Sequence, residues 1–508
     1  MNGSDLSLLT NLNYYCRESY WHKVYLLVVD ALQLSPEDAP VQLYRCIAFI
    51  ALKKTQEAVR ELETLRDGSE TTLAAEHLLV CAHKASPSPD QNAINQLETS
   101  IKTNKRNASV KACYYAGLVL ILMHQYAKAR EFVERATSGD KTPEHIALKG
   151  WYNLLSGKDI KGSAKHFDDV LATEICRTYP DAWLGKAAYF RDRQNPAGSL
   201  ETLNQASTMF PNFLPVQIEK MKSQLMLKEW DQSFETAQRC LIIDSNCIEA
   251  QIYQLLYMVA YEGKYADSVS QLSQLFTEIE KNEPLNTELY SRSAQIFAVT
   301  CGRDVGILVQ CRNCFEKALQ HDPKNANIKT LIGYLQIMLG QTKPAEKMFQ
   351  QAIESQQADS PNAFLGLARC QIAEGDYKSA ETQMNFLAEV NQELKNSTES
   401  RYLKFLLAAR DSPELGTLVP HLSAIFDQHT ASFRGMVFGP EYLIRVNPDM
   451  LLELSDLLIS LAPIEPVAKG HPAELILELA EKFLTIATEN VPGLTQGHFF
   501  LGRTRYLR

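Results

Sequence analysis

The chain has 508 residues, 45% of them hydrophobic and 22% charged, which excludes a disordered chain. Acidic side chains outnumber basic ones, 60 to 51, for a formal net charge of −9. No strongly basic stretch breaks that balance, and phosphate backbones are met by clustered Lys and Arg, so a nucleic-acid partner is not expected. The most apolar run, Tyr114 to Met123, is about half of the roughly 20 residues a bilayer span needs, so direct membrane insertion is not expected either. The opening residues lack a basic region followed by an apolar core, and the 11 cysteines are odd in number and scattered. A reducing compartment is the expectation. The glycosylation patterns at Asn107 and Asn396 then carry no meaning.

In chain order, short amphipathic helices recur in pairs. One column of mostly small residues runs through the second helix of each pair: Val24, Ala58, Ala93, Ala129, Ala164, Ser199, Ser233, Ser268, Cys311, Ala345 and Ala380. Successive spacings are 34, 35, 36, 35, 35, 34, 35, 43, 34 and 35. Twelve residues earlier, on the first helix, stand Cys46, Cys81, Gly117, Ala187, Gly333 and Ala368. Two helices approach closely only where both present small side chains, so the two columns belong together. Tyr152, Met221 and Leu256 break the rule, which implies different packing there or a register off by one. Seven residues after the first column, a third keeps the same face: Ala31, Leu65, Ala136, Leu171, Ala206, Cys240, Leu275, Ala318, Ala352 and Leu387. Gly263, Gly340 and Gly375 mark the turn inside a pair, and Pro36, Pro211 and Pro323 stop second helices.

A period of about 34 residues with this pattern is that of the tetratricopeptide repeat. The predicted fold is all-α, an α-solenoid of helix-turn-helix pairs in a right-handed superhelix. Residues 1–395 form about eleven units, with an insertion near 283–310, read as a longer loop or a longer first helix. First helices are expected to line a concave groove, the usual recognition surface. Residues 396–508 read as degenerate helical repeats, with helices at 399–410, 414–429, 447–462 and 471–489 and an irregular stretch from Phe433 to Val446. Thr495 to Arg508 reads as a first helix with no second to follow, and the expectation is the front part of a longer array.

No catalytic constellation emerges, so an enzyme is not expected, and no cofactor or metal. Gly157-Lys158-Asp159 lacks the spacing of a phosphate loop. Cys311 and Cys314 form a lone CxxC, and a structural zinc needs four ligands. His421 and His429 lie two helical turns apart, too far to chelate, and read as solvated or helix-end residues. Lys149 and Asn153 match the first pair of the carboxylate clamp that some repeats use for chaperone C-termini. Gly185, Pro215 and Glu219 supply none of the remaining donors, and Glu219 would repel a carboxylate. No partner-binding residue is assigned.

Several segments lie outside the generic repeat. They include Phe210 to Leu214, Glu229-Trp230-Asp231-Gln232, Thr300-Cys301-Gly302-Arg303, Gly439-Pro440-Glu441-Tyr442 and Asn447-Pro448-Asp449 with Leu451-Leu452-Glu453. With Asn13 to Cys16, Lys54 to Ala58, Tyr115 to Leu118 and Lys128 to Glu131, the chain resembles the amino-terminal part of the tetratricopeptide repeat protein 21 family, a subunit of intraflagellar transport complex A. The resemblance runs over nearly the whole chain, and family members are much longer. It implies a non-catalytic scaffold in cytoplasm and cilium, at the basal body and axoneme, supporting retrograde transport and ciliary entry of membrane proteins. Implied partners are the other complex A subunits, several combining propellers with helical repeats, and ciliary cargo adaptors. The alternative is a general tetratricopeptide co-chaperone or complex adaptor outside the cilium.

Overall fold

The computed structural model describes residues 3–139, 141–355, 361–390, 397–411 and 415–508, and every regular element among them is a helix. The chain is an all-α helical-repeat protein of the tetratricopeptide type. Helices succeed one another in pairs, from Gly3–Arg17 with Trp21–Leu34, through Ala39–Ala51 with Thr55–Leu65, to Pro361–Glu374 with Tyr377–Val390. Local chemistry sets the boundaries. Asp38, Ser109, Thr142, Asn286 and Asn325 each cap the first helix of a pair by accepting a hydrogen bond from an amide three residues on. Such a cap contributes about 1 kcal/mol. Two residues before nearly every second helix the backbone turns left-handed: Ser19, Lys53, His124, Gln194, Lys228, Gly263, Arg303, Gly340 and Gly375.

The small-residue columns are where pairs close. Phe167, fully buried, lies between Gly150 of its own pair and Gly185 of the next, and Phe349 lies in the same way between Gly333 and Gly366. A fully buried Phe contributes roughly 1.5–3 kcal/mol, and the glycines give it room. The structure shifts the column at two places. Ile94 and Ser163 are buried while Ala93 and Ala164 are only half so. Ser163 tolerates burial because its hydroxyl donates to the Ile160 carbonyl at 2.6 Å. The exception at Tyr152 is one of register, since the close approach falls at Gly150. Met221 and Leu256 are fully buried large residues, and Leu256 runs straight into a π-helical turn, Tyr257–Tyr261.

The extra length near 283–310 is neither loop nor first helix. The first helix, Thr287–Thr300, has 14 residues, whereas the flanking second helices, Tyr265–Asn282 and Val305–His321, have 18 and 17. Cys311, Phe315 and Ala318 keep the buried spacing of Ala345, Phe349 and Ala352, so the additional turns are appended to the ends of an unchanged packing motif. Helices Thr398–Asp411, Leu415–Phe433, Pro448–Leu461, Pro472–Asn490 and Thr495–Leu507 follow, and a short one, Pro440–Val446, occupies part of the stretch expected to be irregular.

The chain resolves into two compact units, Met1–Leu227 with Ile242–Asp244, and Lys228–Leu241 with Ser245–Arg508. This division falls inside the expected array and not at its edge. The expected boundary at 395/396, like Asn396, lies in 391–396, outside the described residues.

The glycine contacts make a paired prediction. A Cβ on Gly185 would stand 2.2 Å from a Phe167 ring carbon, whereas one on Gly502 meets nothing within 4 Å. Helix propensity favours Ala at both by about 1 kcal/mol, but overpacking costs about 1–3 kcal/mol. Gly185→Ala should therefore lower, and Gly502→Ala hold or raise, the midpoint of urea unfolding.

Candidate functional site

In the first unit the first helices face inward, and what they face is the chain's own opening helix, Gly3–Arg17. Leu12 and Cys16 are fully buried, and Tyr14 and Tyr15 nearly so. Leu6 packs with Ala147, Val170, Tyr179 and Ala182. The polar contacts are specific. Tyr44 donates to Asn13 at 2.7 Å. Arg17 pairs with Asp181 at 2.7 Å and lies 3.7 Å over the Trp151 ring, whose indole N–H donates to the other Asp181 oxygen at 2.9 Å. Tyr14 donates to Glu219 at 3.0 Å, and Lys222 bridges Glu219 at 2.8 Å and Glu18 at 3.0 Å. Arg191 completes the set on the second Glu219 oxygen. The space left beside Arg17, Tyr114, Trp151 and Asp181 is about 10 Å³, at the limit for a single water.

The second unit repeats the device with helix Pro448–Leu461, which packs against Thr287–Thr300. Arg303, in its left-handed turn, grips Asp449 with two bonds of 2.7 and 3.1 Å and also meets Glu453. Glu453 further accepts from Arg369 at 2.6 Å and from the Tyr402 hydroxyl at 2.7 Å, and Arg369 reaches Glu399 at 3.4 Å. Asn447, left-handed at φ 46°, caps this helix through Met450. Further along, the Gly493 amide donates to the Ala260 carbonyl at 2.8 Å, and the Tyr265 hydroxyl to the Gly493 carbonyl at 2.9 Å. Gly263 has φ +69° and faces Gly493 so closely that a Cβ would stand 2.4 Å from its carbonyl oxygen, so only glycine fits.

Glu219 and Glu453 are held ionised by their partners. Burial alone would raise the Glu219 pKa, but Arg191, Lys222 and the Tyr14 hydroxyl bring it down to about 2. Burial likewise works against Glu453, and Arg369, Arg303 and Tyr402 keep it below the ordinary carboxylate value.

The residues singled out from sequence fall as follows. Glu219 is not a free repelling charge but the centre of the first ion cluster. Gly185 is covered by Phe167, Pro215 and Asn153 are buried, and Lys149 is half-exposed. Cys311 and Cys314 are fully buried, their thiols pushed up by burial, and the Cys314 thiol donates to the Tyr290 carbonyl. All eleven cysteines are free thiols. His429 departs from its expected solvated or helix-end role: it is buried, with Nε2 2.8 Å from the Val446 carbonyl oxygen, while His421 is exposed. Among the described residues no group of three or more His, Cys, Asp or Glu could hold a metal, and no helix is long and apolar enough to cross a membrane. Sequence reasoning passed over Arg17, Trp151, Asp181, Arg303, Arg369 and Glu453. The available signal for two of them was that Arg303 and Glu453 sit in segments foreign to the repeat.

Two outcomes follow from the ion clusters. Glu219, with its folded pKa depressed, adds stability that is complete above its unfolded value near 4.5 and fades as pH falls toward 2. Thermal unfolding of the chain against Glu219→Gln should differ at neutral pH and converge toward pH 2. Glu453→Ala leaves Arg303 with Asp449 and Arg369 with Glu399 as their remaining carboxylates, and losing part-buried hydrogen bonds to a charged group costs about 1.5–3 kcal/mol. Its denaturation midpoint should drop well below that of Glu489→Ala, an exposed control.

Residues 12–234 match the family described as Tetratricopeptide repeat protein 21 N-terminal ARM repeat, and residues 270–508 match Tetratricopeptide repeat protein 21 second ARM domain. Tetratricopeptide repeat protein 21B of Homo sapiens is 34% identical over 503 residues, 98% of this chain and 38% of the relative. The Xenopus laevis protein of the same name is 30% identical over 510 residues, 100% of this chain and 38% of the relative. The chain thus spans 38% of the length of these relatives. The crystal structure of yeast Tom70 overlaps 88% of each chain at 14% identity with a TM-score of 0.38. With both units matched and the likeness to the vertebrate proteins running end to end, the chain belongs to the tetratricopeptide repeat protein 21 family.

Proposed function

We propose that the chain acts as a non-catalytic scaffold segment of intraflagellar transport complex A, supporting retrograde transport in cilia and the ciliary entry of membrane-protein cargo. The observation that carries this reading is the family match across both units. The geometry supports a scaffold in a particular way. A groove occupied by the chain's own helix is rigid and closed to a peptide, so partners engage outer helix faces and edges. Those partners are the other complex A subunits, several of which combine propellers with helical repeats, and ciliary cargo adaptors. The protein's place is then the cytoplasm and the cilium, at basal body and axoneme.

Tagged chain purified from ciliated cells should bring down complex A subunits at near-equal amounts. Recovery of chaperones alone, with no complex A subunit, would sink the proposal in favour of an adaptor outside the cilium.

A further inference from the structure

Four rings stand in series on the second unit. Phe234 stacks on Tyr257 with centroids 4.4 Å apart and planes at 25°, Tyr257 on Tyr261 at 5.0 Å and 28°, and Tyr261 on Trp230 at 5.5 Å and 29°. Ring pairs elsewhere among the described residues are edge-to-face or tilted, apart from His22 on Tyr25. Tyr257 and Tyr261 are the two ends of the π-helical turn, a rare element that tends to mark functional positions. The inner side of that turn is fixed, with Ala260 accepting from the Gly493 amide. At the inner end, Trp230 is buried and meets Phe438 edge-on at 5.6 Å. At the outer end, Phe234 stays half-exposed, and no ring of the described residues other than Tyr257 stacks on it.

The rim is acidic. Asp231 is exposed and accepts from the Tyr257 hydroxyl at 2.6 Å. Glu235, also exposed, adjoins Phe234, and Glu262 adjoins Tyr261. Glu229, beside Trp230, has a carboxylate oxygen shielded from water that accepts no hydrogen bond. Three cations are close by. Lys264 sits on Glu262 at 2.9 Å, and Arg239 is 3.6 Å from Glu235. Lys228 is engaged by the Phe438 ring and by Asn490. Asp231 therefore has a phenol and no cation as its partner among these contacts.

We propose that this ladder is a docking surface for an arginine-bearing basic segment of a partner protein. Arginine suits it for two reasons: a planar guanidinium stacks on a ring face, and its fork can bond a carboxylate at the same time. The open end at Phe234 supplies the face, and Asp231 and Glu235 supply the carboxylates. Both grooves being filled, recognition falls to such outer surfaces. The proposal concerns the chemistry of the surface and stands whether or not the ciliary reading does.

The test is titration of the intact chain with a labelled arginine-rich peptide of about a dozen residues, read by fluorescence anisotropy at physiological salt. The arginine peptide should bind more tightly than its all-lysine counterpart. Phe234→Leu, which keeps an apolar side chain but removes the ring, and Asp231→Asn should each weaken binding about tenfold. Glu37→Gln, an exposed carboxylate on the other unit, should leave it unchanged. If Phe234→Leu lowers the melting temperature, Asp231→Asn and Glu235→Gln at exposed positions decide the matter. Equal affinity for the lysine peptide, equal loss in Glu37→Gln, or stronger binding of an uncharged peptide would each overturn the proposal.

Discussion

Glu453 holds the second unit together in a way no single helix pair could. It is approached by two guanidinium groups and a phenol from three separate stretches of chain: the turn before Val305–His321, the helix Pro361–Glu374 and the helix Thr398–Asp411. Neighbouring repeats bury each other's apolar faces, but that alone leaves the inward face of the first helices open to water. A carboxylate that satisfies Arg303, Arg369 and Tyr402 at once fixes Pro448–Leu461 against that face. Asp449 and Glu399 complete the set, one on each arginine, so these side chains form a single connected network.

The first unit reaches the same end from the opposite end of the chain. Here the inserted helix comes first in sequence, and Arg17 and Glu18 at its end meet Asp181 and Lys222. Glu219 plays the part that Glu453 plays in the other unit, with Arg191 and Lys222 in place of the two arginines. In both, aromatic groups complete the polar set: Tyr14 and Trp151 in one, Tyr402 in the other. Each unit thus holds one cluster of charges against the inward side of its first helices.

The helical pairs were legible in the sequence because their signal is local and repeats. A mostly small residue at spacings of 34 to 36 positions, with one of 43, and glycine turns inside some pairs place most of the elements. Errors of one residue, at Ala93 and Ala164, came from preferring alanine to neighbours whose polarity or bulk the fold absorbs. The filled grooves were not legible. Asp181 reads as a surface acid, and the segment of Glu453 stands out as foreign to the repeat but not as inward-facing, because the partners Arg17 and Arg303 lie 164 and 150 residues away. The first helices expected to line a groove instead face Gly3–Arg17 in one unit and Pro448–Leu461 in the other. The ring ladder was not legible, because the stacking of Tyr257 on Tyr261 needs the π turn, which periodicity does not announce.

The separation between Tyr14 and Glu219, 205 residues, also governs how this protein can fold. A linear repeat array assembles by adding neighbours, and each addition is stabilised by the one before. Here the opening helix cannot complete its polar contacts until Leu214–Met226 has been made. Contacts of such long range slow folding, because the chain between them must be ordered before they form. During synthesis the first unit can therefore close only after some two hundred residues have left the ribosome, at about 5–20 residues per second. Once closed, its repeats should melt together as one cooperative body and not fray from an end.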